Sequence, residues 1–267
     1  MRTGSSGTVA VLAGALSLGV LCAPPAQAAD TGIEVTNMVV NGGRTIIVGP
    51  TVTQRPKFSF HVTLPRGVSF DDVDVHPVVH RYDTTPARAY ERSAEIPWSG
   101  VNCGYAPSGG YDCKGDFYLD RSFLDSNGDA TTWKFAVIAK LWEGSELKKE
   151  EFLTGLGYIR LKRDARVTVN ASPEPVIKGR PITVIGKIIR ADWALNKYTN
   201  YAGKQATLQF RKAGTNTYTV VRTVTANATG DLRAAVTASV DGYWRWSVGG
   251  TATTAGAGST ADYVDVR

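Results

Sequence analysis

Residues 57–64 read Lys57-Phe58-Ser59-Phe60-His61-Val62-Thr63-Leu64. Phe58, Phe60, Val62 and Leu64 fall at every second position, with Lys57, Ser59, His61 and Thr63 between them. Successive side chains of an extended chain point to opposite sides, so a period of two predicts a strand with one face on a core and the other in water. The same alternation returns in Trp133, Phe135, Val137, Ala139 and Leu141, with Lys134 and Lys140 on the opposite side. Ala206, Leu208 and Phe210 repeat it, as do Leu232, Ala234, Val236, Ala238 and Val240. No comparable stretch carries the three- and four-residue spacing of an amphipathic helix. Turn-forming segments separate the strands: Ala213-Gly214-Thr215-Asn216, Thr229-Gly230-Asp231, and Asp241-Gly242 ahead of an aromatic strand from Tyr243 to Val248. An all-β fold of antiparallel strands follows.

Composition agrees with a folded chain. Of 267 residues 43% are hydrophobic and 20% charged, with 28 Gly and 12 Pro, which excludes collagen-like and disordered classes. The length accommodates one large or two ordinary domains. Residues 1–28 read as a signal peptide: Arg2 is the positive end, Thr8 to Cys22 form the apolar stretch, and Ala26-Gln27-Ala28 is a cleavage site. Lipidation at Cys22 is disfavoured by the bulky Leu21 before it. The expected product is secreted and extracellular, with no membrane insertion, because no later apolar run approaches the roughly 20 residues that span a bilayer.

Removing the leader leaves Cys103 and Cys113 as an even pair in an oxidising compartment, and a disulfide is expected between them. A metal or redox pair would want closer spacing or further Cys and His nearby. The charged run Lys162-Arg163-Asp164-Ala165-Arg166 suggests a boundary between a domain at 29–164 and a second at 165–267. The first holds 16 Lys and Arg against 18 Asp and Glu, net −2; the second holds 13 against six, net +7. So short a connection predicts end-to-end packing with limited bending.

Val167-Thr168-Val169-Asn170-Ala171-Ser172-Pro173-Glu174-Pro175, Pro181-Ile182-Thr183-Val184-Ile185-Gly186, Leu208-Gln209-Phe210-Arg211-Lys212 and Gly242-Tyr243-Trp244-Arg245-Trp246 together resemble a bacterial immunoglobulin-like domain. The chain beyond the leader is similar to secreted actinobacterial proteins with two such domains in tandem, the first carrying a short disulfide loop and a Trp-Lys strand as at Trp133-Lys134. That group is mostly of unknown function. The resemblance implies two immunoglobulin-like antiparallel β-sandwiches after a signal peptide, and an extracellular location, but no catalytic residue. Some of the group carry an acidic turn that has led them to be called calcium-binding, and this chain has a partial version of it.

That turn is Asp125-Ser126-Asn127-Gly128-Asp129, whose Asp125, Asn127 and Asp129 put oxygen donors at alternating positions, as a hard cation requires. Ala130 and Ala136 stand where a helix-loop-helix calcium site needs Gly and Glu, so the alternatives are a plain turn and a weak calcium site. His76 and His80 lie about 13 Å apart along a strand, too far for one zinc ion unless Pro77 bends it, and a solvated polar face is expected. Nucleophile-elbow, zinc-helix and phosphate-loop motifs are absent, so no enzyme is expected.

Binding is the more productive reading. Ala191 to Gly203 reads as a loop with Trp193, Tyr198, Tyr201 and Asp192, a mixture suited either to stacking on a glycan or to capping a core. Trp244 and Trp246 are expected in the core. Arg211, Lys212, Arg222, Arg233 and Arg245 form a basic surface for an anionic wall polymer or polysaccharide if their strands share a face; no nucleic-acid motif accompanies them. The expected function is a non-catalytic binding or structural protein at or beyond the cell surface. The alternatives are a calcium-binding structural spacer and a carbohydrate-binding module acting through the Trp193–Tyr201 segment.

Overall fold

A computed structural model describes residues 30–51, 53–81, 95–96, 98–120, 123–124 and 126–267. The proposed leader and Asp125 lie outside the described residues. The alternating stretches do form strands. In chain order the first ten are β1 (Glu34–Val40), β2 (Ile46–Val48), β3 (Lys57–Thr63), β4 (Val73–His80), β5 (Glu95–Ile96), β6 (Trp98–Tyr105), β7 (Tyr111–Phe117), β8 (Thr132–Glu143), β9 (Glu146–Leu153) and β10 (Tyr158–Arg163). They make two sheets, one in the order β1-β3-β7-β6 and the other β2-β10-β8-β4-β5 with β9 added to β8. Neighbours run antiparallel except β2, which lies parallel to β10. Phe58, Phe60 and Val62 of one sheet face Val73, Val75, Trp133, Phe135, Val137 and Leu161 of the other in one core, so the period of two is read out as burial.

The second ten are β11 (Ala165–Val167), β12 (Asn170–Ser172), β13 (Pro181–Asp192), β14 (Lys197–Asn200), β15 (Gln205–Lys212), β16 (Thr219–Thr225), β17 (Asp231–Thr237), β18 (Gly242–Val248), β19 (Ala257–Gly258) and β20 (Asp262–Val264). The long β13 is the spine of one sheet, paired with β11, β12, β14 and β17. The other runs β16-β15-β18, with β19 and β20 on the far side of β18. Trp244 and Trp246 point into the core between them, 5% and 0% exposed. Trp246 lies against the backbone of Gly186, where a Cβ would stand 2.6 Å from the indole, so only glycine allows the approach. Both units are immunoglobulin-like β-sandwiches, each built from two packed sheets whose strands pair antiparallel apart from β2 with β10.

Cys103 and Cys113 face each other on β6 and β7 and are joined as a disulfide. The bridge lies within one sheet and pins an edge hairpin; in antibody domains the conserved bridge runs between sheets. Between β9 and β10, Gly155 and Gly157 take φ of 76° and 120° and turn the chain. One reading needs adjustment. His80 is not on a solvated face. It is 2% exposed with its ring edge-on to Phe152 at 5.4 Å, because β9 folds that side chain over the outer surface of β4.

Candidate functional site

The segment Ala191 to Gly203 is not an open loop. β13 and β14 pair as a hairpin, with Asp192 opposite Lys197 and residues 193–196 forming the tip. That tip enters the first sandwich. Ala191 and Trp193 belong to its core cluster, and the Trp193 ring is 2% exposed. Its indole Nε1 donates to the Val48 carbonyl at 3.2 Å. The ring therefore has no face to offer a sugar. The neighbouring groups are also engaged: Tyr198 donates its hydroxyl to Asp164 Oδ2 at 2.6 Å, with the Arg166 guanidinium 4.2 Å from the ring centre. Tyr201 packs on the second core with Arg190 over its ring at 4.1 Å. The hairpin therefore buries Trp193 and engages Asp192 and Tyr198 at the joint, while Tyr201 packs on the second core, in place of the open aromatic loop expected for a glycan.

The acidic turn meets the same hairpin. Residues Asn127–Asp129 form a short 3-10 turn capped by Ser126. Asn127 uses both ends of its amide across the joint, Nδ2 donating to Asp192 Oδ1 at 3.0 Å and Oδ1 accepting from Trp193 N at 3.0 Å. Asp129 is fully buried; its carboxylate accepts from Arg81 and from the Ser126 backbone, and its carbonyl accepts from Trp133 Nε1. Two of the three oxygen donors suggested for calcium are therefore spent, and Asp125 lies outside the described residues. Among the described residues no group of three His, Cys, Asp or Glu gathers as a metal site.

His61 Nδ1 bonds Asp112 Oδ1 at 2.8 Å on the outer face of the first sandwich, beside Ser59 on the same strand. The resemblance to a hydrolytic triad ends there. The other ring nitrogen turns to Gly110, 2.7 Å from where a Cβ there would stand, along the strand away from Ser59. Among the described residues no hydroxyl is hydrogen-bonded to this imidazole.

The surface that does assemble chemistry is the outer face of β16-β15-β18-β20. Gln209 stands opposite Arg245, Arg211 opposite Tyr243, and Tyr243 opposite Tyr263, so directly opposed side chains share one face. Tyr218, just before β16, completes it. The Arg245 guanidinium lies 3.7 Å from the Tyr218 ring centre; Arg211 lies 4.0 Å from Tyr243 and 5.4 Å from Tyr218. Tyr243 and Tyr263 are tilted with centres 5.1 Å apart. Arg245 Nε donates to Gln209 at 2.7 Å, and Arg211 donates one N–H to the Thr215 carbonyl. Guanidiniums fixed on aromatic faces keep their remaining N–H groups available to a carboxylate or phosphate, and pre-ordering lowers the entropy cost of each contact. Partial desolvation, with the nearby Asp241 and Asp265 charges, holds the Tyr263 phenol above its ordinary pKa.

Of the five basic residues singled out in the sequence, two share this face. Arg222 stands opposite the inward Leu208, Arg233 belongs to β17 in the other sheet, and Lys212 ends β15 opposite Gly242. Tyr218, Tyr243 and Tyr263 were missed as partners. The signal was present for Tyr243, which alternates with Trp244 beside Arg245.

No protein-family model matches the chain, and no curated protein matches it. Solved structures similar to it include the full Ig1–Ig3 ectodomain of mouse nectin-like molecule 4, at 12% identity over 86% of this chain and TM-score 0.25. The chain spans 64% of that ectodomain. The D00-D0 domain of intimin is similar at 12% identity, covering 85% of this chain and 99% of that one, TM-score 0.27. Dpr2 Ig1-Ig2, solved with DIP-Theta Ig1-Ig3, is similar at 10% identity over 86% and 98%, TM-score 0.29. Likenesses this distant carry no function, and the immunoglobulin-like assignment rests on the strand order above.

Proposed function

We propose that the protein is an exported, non-catalytic binding protein whose second sandwich holds an anionic extracellular polymer against Arg211 and Arg245. One observation carries the reading: two guanidiniums are stacked on Tyr218 and Tyr243 on a single sheet face. The +7 charge of residues 165–267 would draw a polyanion to that face, and the tyrosine rings would pack on its sugar units. The Cys103–Cys113 bridge fits an oxidising, extracellular setting, and no helix among the described residues is long and apolar enough to cross a membrane.

The test is retention of the protein on immobilised anionic wall polymer at low and high salt. Retention that falls with salt and is lost in an Arg211→Ala, Arg245→Ala double variant is expected. Retention unchanged in the double variant would remove the reading. A spacer role has separate support in the hairpin seated between the sandwiches, and it predicts no retention on any polymer with the two sandwiches held at a fixed angle in solution.

A further inference from the structure

Arg163 ends β10 on the inward row that begins with Ile159 and Leu161, so its side chain continues a core-facing row into the joint. The residue is 7% exposed. Its backbone is tied to the second sandwich: Arg163 N donates to the Thr253 carbonyl at 3.0 Å and Ala255 N donates to the Arg163 carbonyl at 2.9 Å, making a parallel bridge between Arg163 and Thr254. Residues paired in such a bridge project to the same side of the ladder. Both end in a buried polar atom that no group among the described residues satisfies, Arg163 Nε and Thr254 Oγ1. Thr254 is 1% exposed.

Arg190, on β13, is close enough for its charge to act on Arg163, and its own guanidinium lies over Tyr201. Among the described residues neither arginine forms an ion pair. The Asp192 charge acts on Arg163 without forming an ion pair, and its Oδ1 accepts from Asn127 and from the Leu195 backbone. A buried guanidinium N–H without an acceptor is costly, and a second cation beside it adds to the cost. A small anion answers each of these features: it neutralises the pair, accepts from Nε, and accepts the threonine hydroxyl proton.

We infer that the joint between the two sandwiches is a binding site for a small inorganic anion of halide size, held by Arg163 and Thr254 and favoured by the charge of Arg190. Burial limits the occupant to this size. Burial and the Arg190 charge also hold the Arg163 guanidinium below its ordinary pKa, as an unneutralised buried pair requires. Occupancy would tie the angle between the sandwiches to anion concentration. This site lies apart from the tyrosine-stacked face and stands independently of the polymer proposal.

The test is thermal unfolding of the full mature chain at constant ionic strength, with chloride exchanged for gluconate, which is too large to enter. A ligand specific to the folded state raises the midpoint by about 3–5 °C for each tenfold increase above its Kd. Arg163→Met should fold, because an apolar side chain of similar length replaces a buried charge, and it should lose the chloride dependence. Thr254→Val is the second variant and should weaken that dependence. Crystals soaked in bromide should give an anomalous peak between Arg163 Nε and Thr254 Oγ1. A midpoint insensitive to chloride, a dependence that survives Arg163→Met, or a water molecule alone at that position would each overturn the site.

Discussion

Asn127 and Trp193, 66 residues apart in the chain, are joined by a hydrogen bond of 3.0 Å from the Trp193 backbone N–H to the Asn127 side-chain oxygen. The bond seats the tip of one sandwich in the core of the other. Trp193→Ala is expected to leave a large cavity and destabilise the first sandwich by about 3–5 kcal/mol. Calorimetry is expected to show one transition for the parent and two for this variant. Asn127→Ala removes two bonds and strands the Trp193 backbone N–H, and a smaller loss of about 1–3 kcal/mol is expected.

Reducing the Cys103–Cys113 bridge should lower stability by roughly 2–3 kcal/mol, since it closes a short loop in the unfolded chain. β6 and β7 remain paired through the rest of their ladder. Denaturant unfolding with and without reductant measures the difference, and far-ultraviolet circular dichroism of the reduced protein should stay that of a β-sandwich.

The Tyr198 phenol is pushed up to about 12 from 10.0 by burial, reinforced by its bond to Asp164. A folded-state pKa above the unfolded value contributes stability that is fully present below pH 10 and is lost as pH rises towards 12. Midpoints measured from pH 9 to pH 12 should fall across that window, and Tyr198→Phe should flatten the fall while weakening the joint at neutral pH.

Tyr218→Ala removes the platform beneath Arg245 without removing a charge. Affinity for an anionic polymer should fall by about two- to fivefold, with the salt slope unchanged. Arg245→Ala should lower both. Binding isotherms at two salt concentrations separate these outcomes.

Calcium should leave the melting midpoint where chelator leaves it. Asp129 is buried against Arg81, and the Asn127 oxygen is occupied by the Trp193 backbone, so a cation would have to break both. A midpoint that rises with millimolar calcium would show that the turn rearranges to bind.

The alternation in Lys57 to Leu64 and in Tyr243 to Val248 was enough to say that these are strands and which side chains face inward. A period of two is a local property of an extended chain, and burying one face is what stabilises a sheet. That Arg211 and Arg245 share a face while Arg222 does not depends on register and on the bulge between Leu208 and Gln209, which lie beyond any single strand's pattern. Trp193 marks the same limit. A tryptophan at a hairpin tip has one sequence signature whether it meets water, a glycan or a neighbouring core. Burial is decided by what stands opposite, and here that is Val48 and Asn127, brought to the hairpin only when both sandwiches have formed.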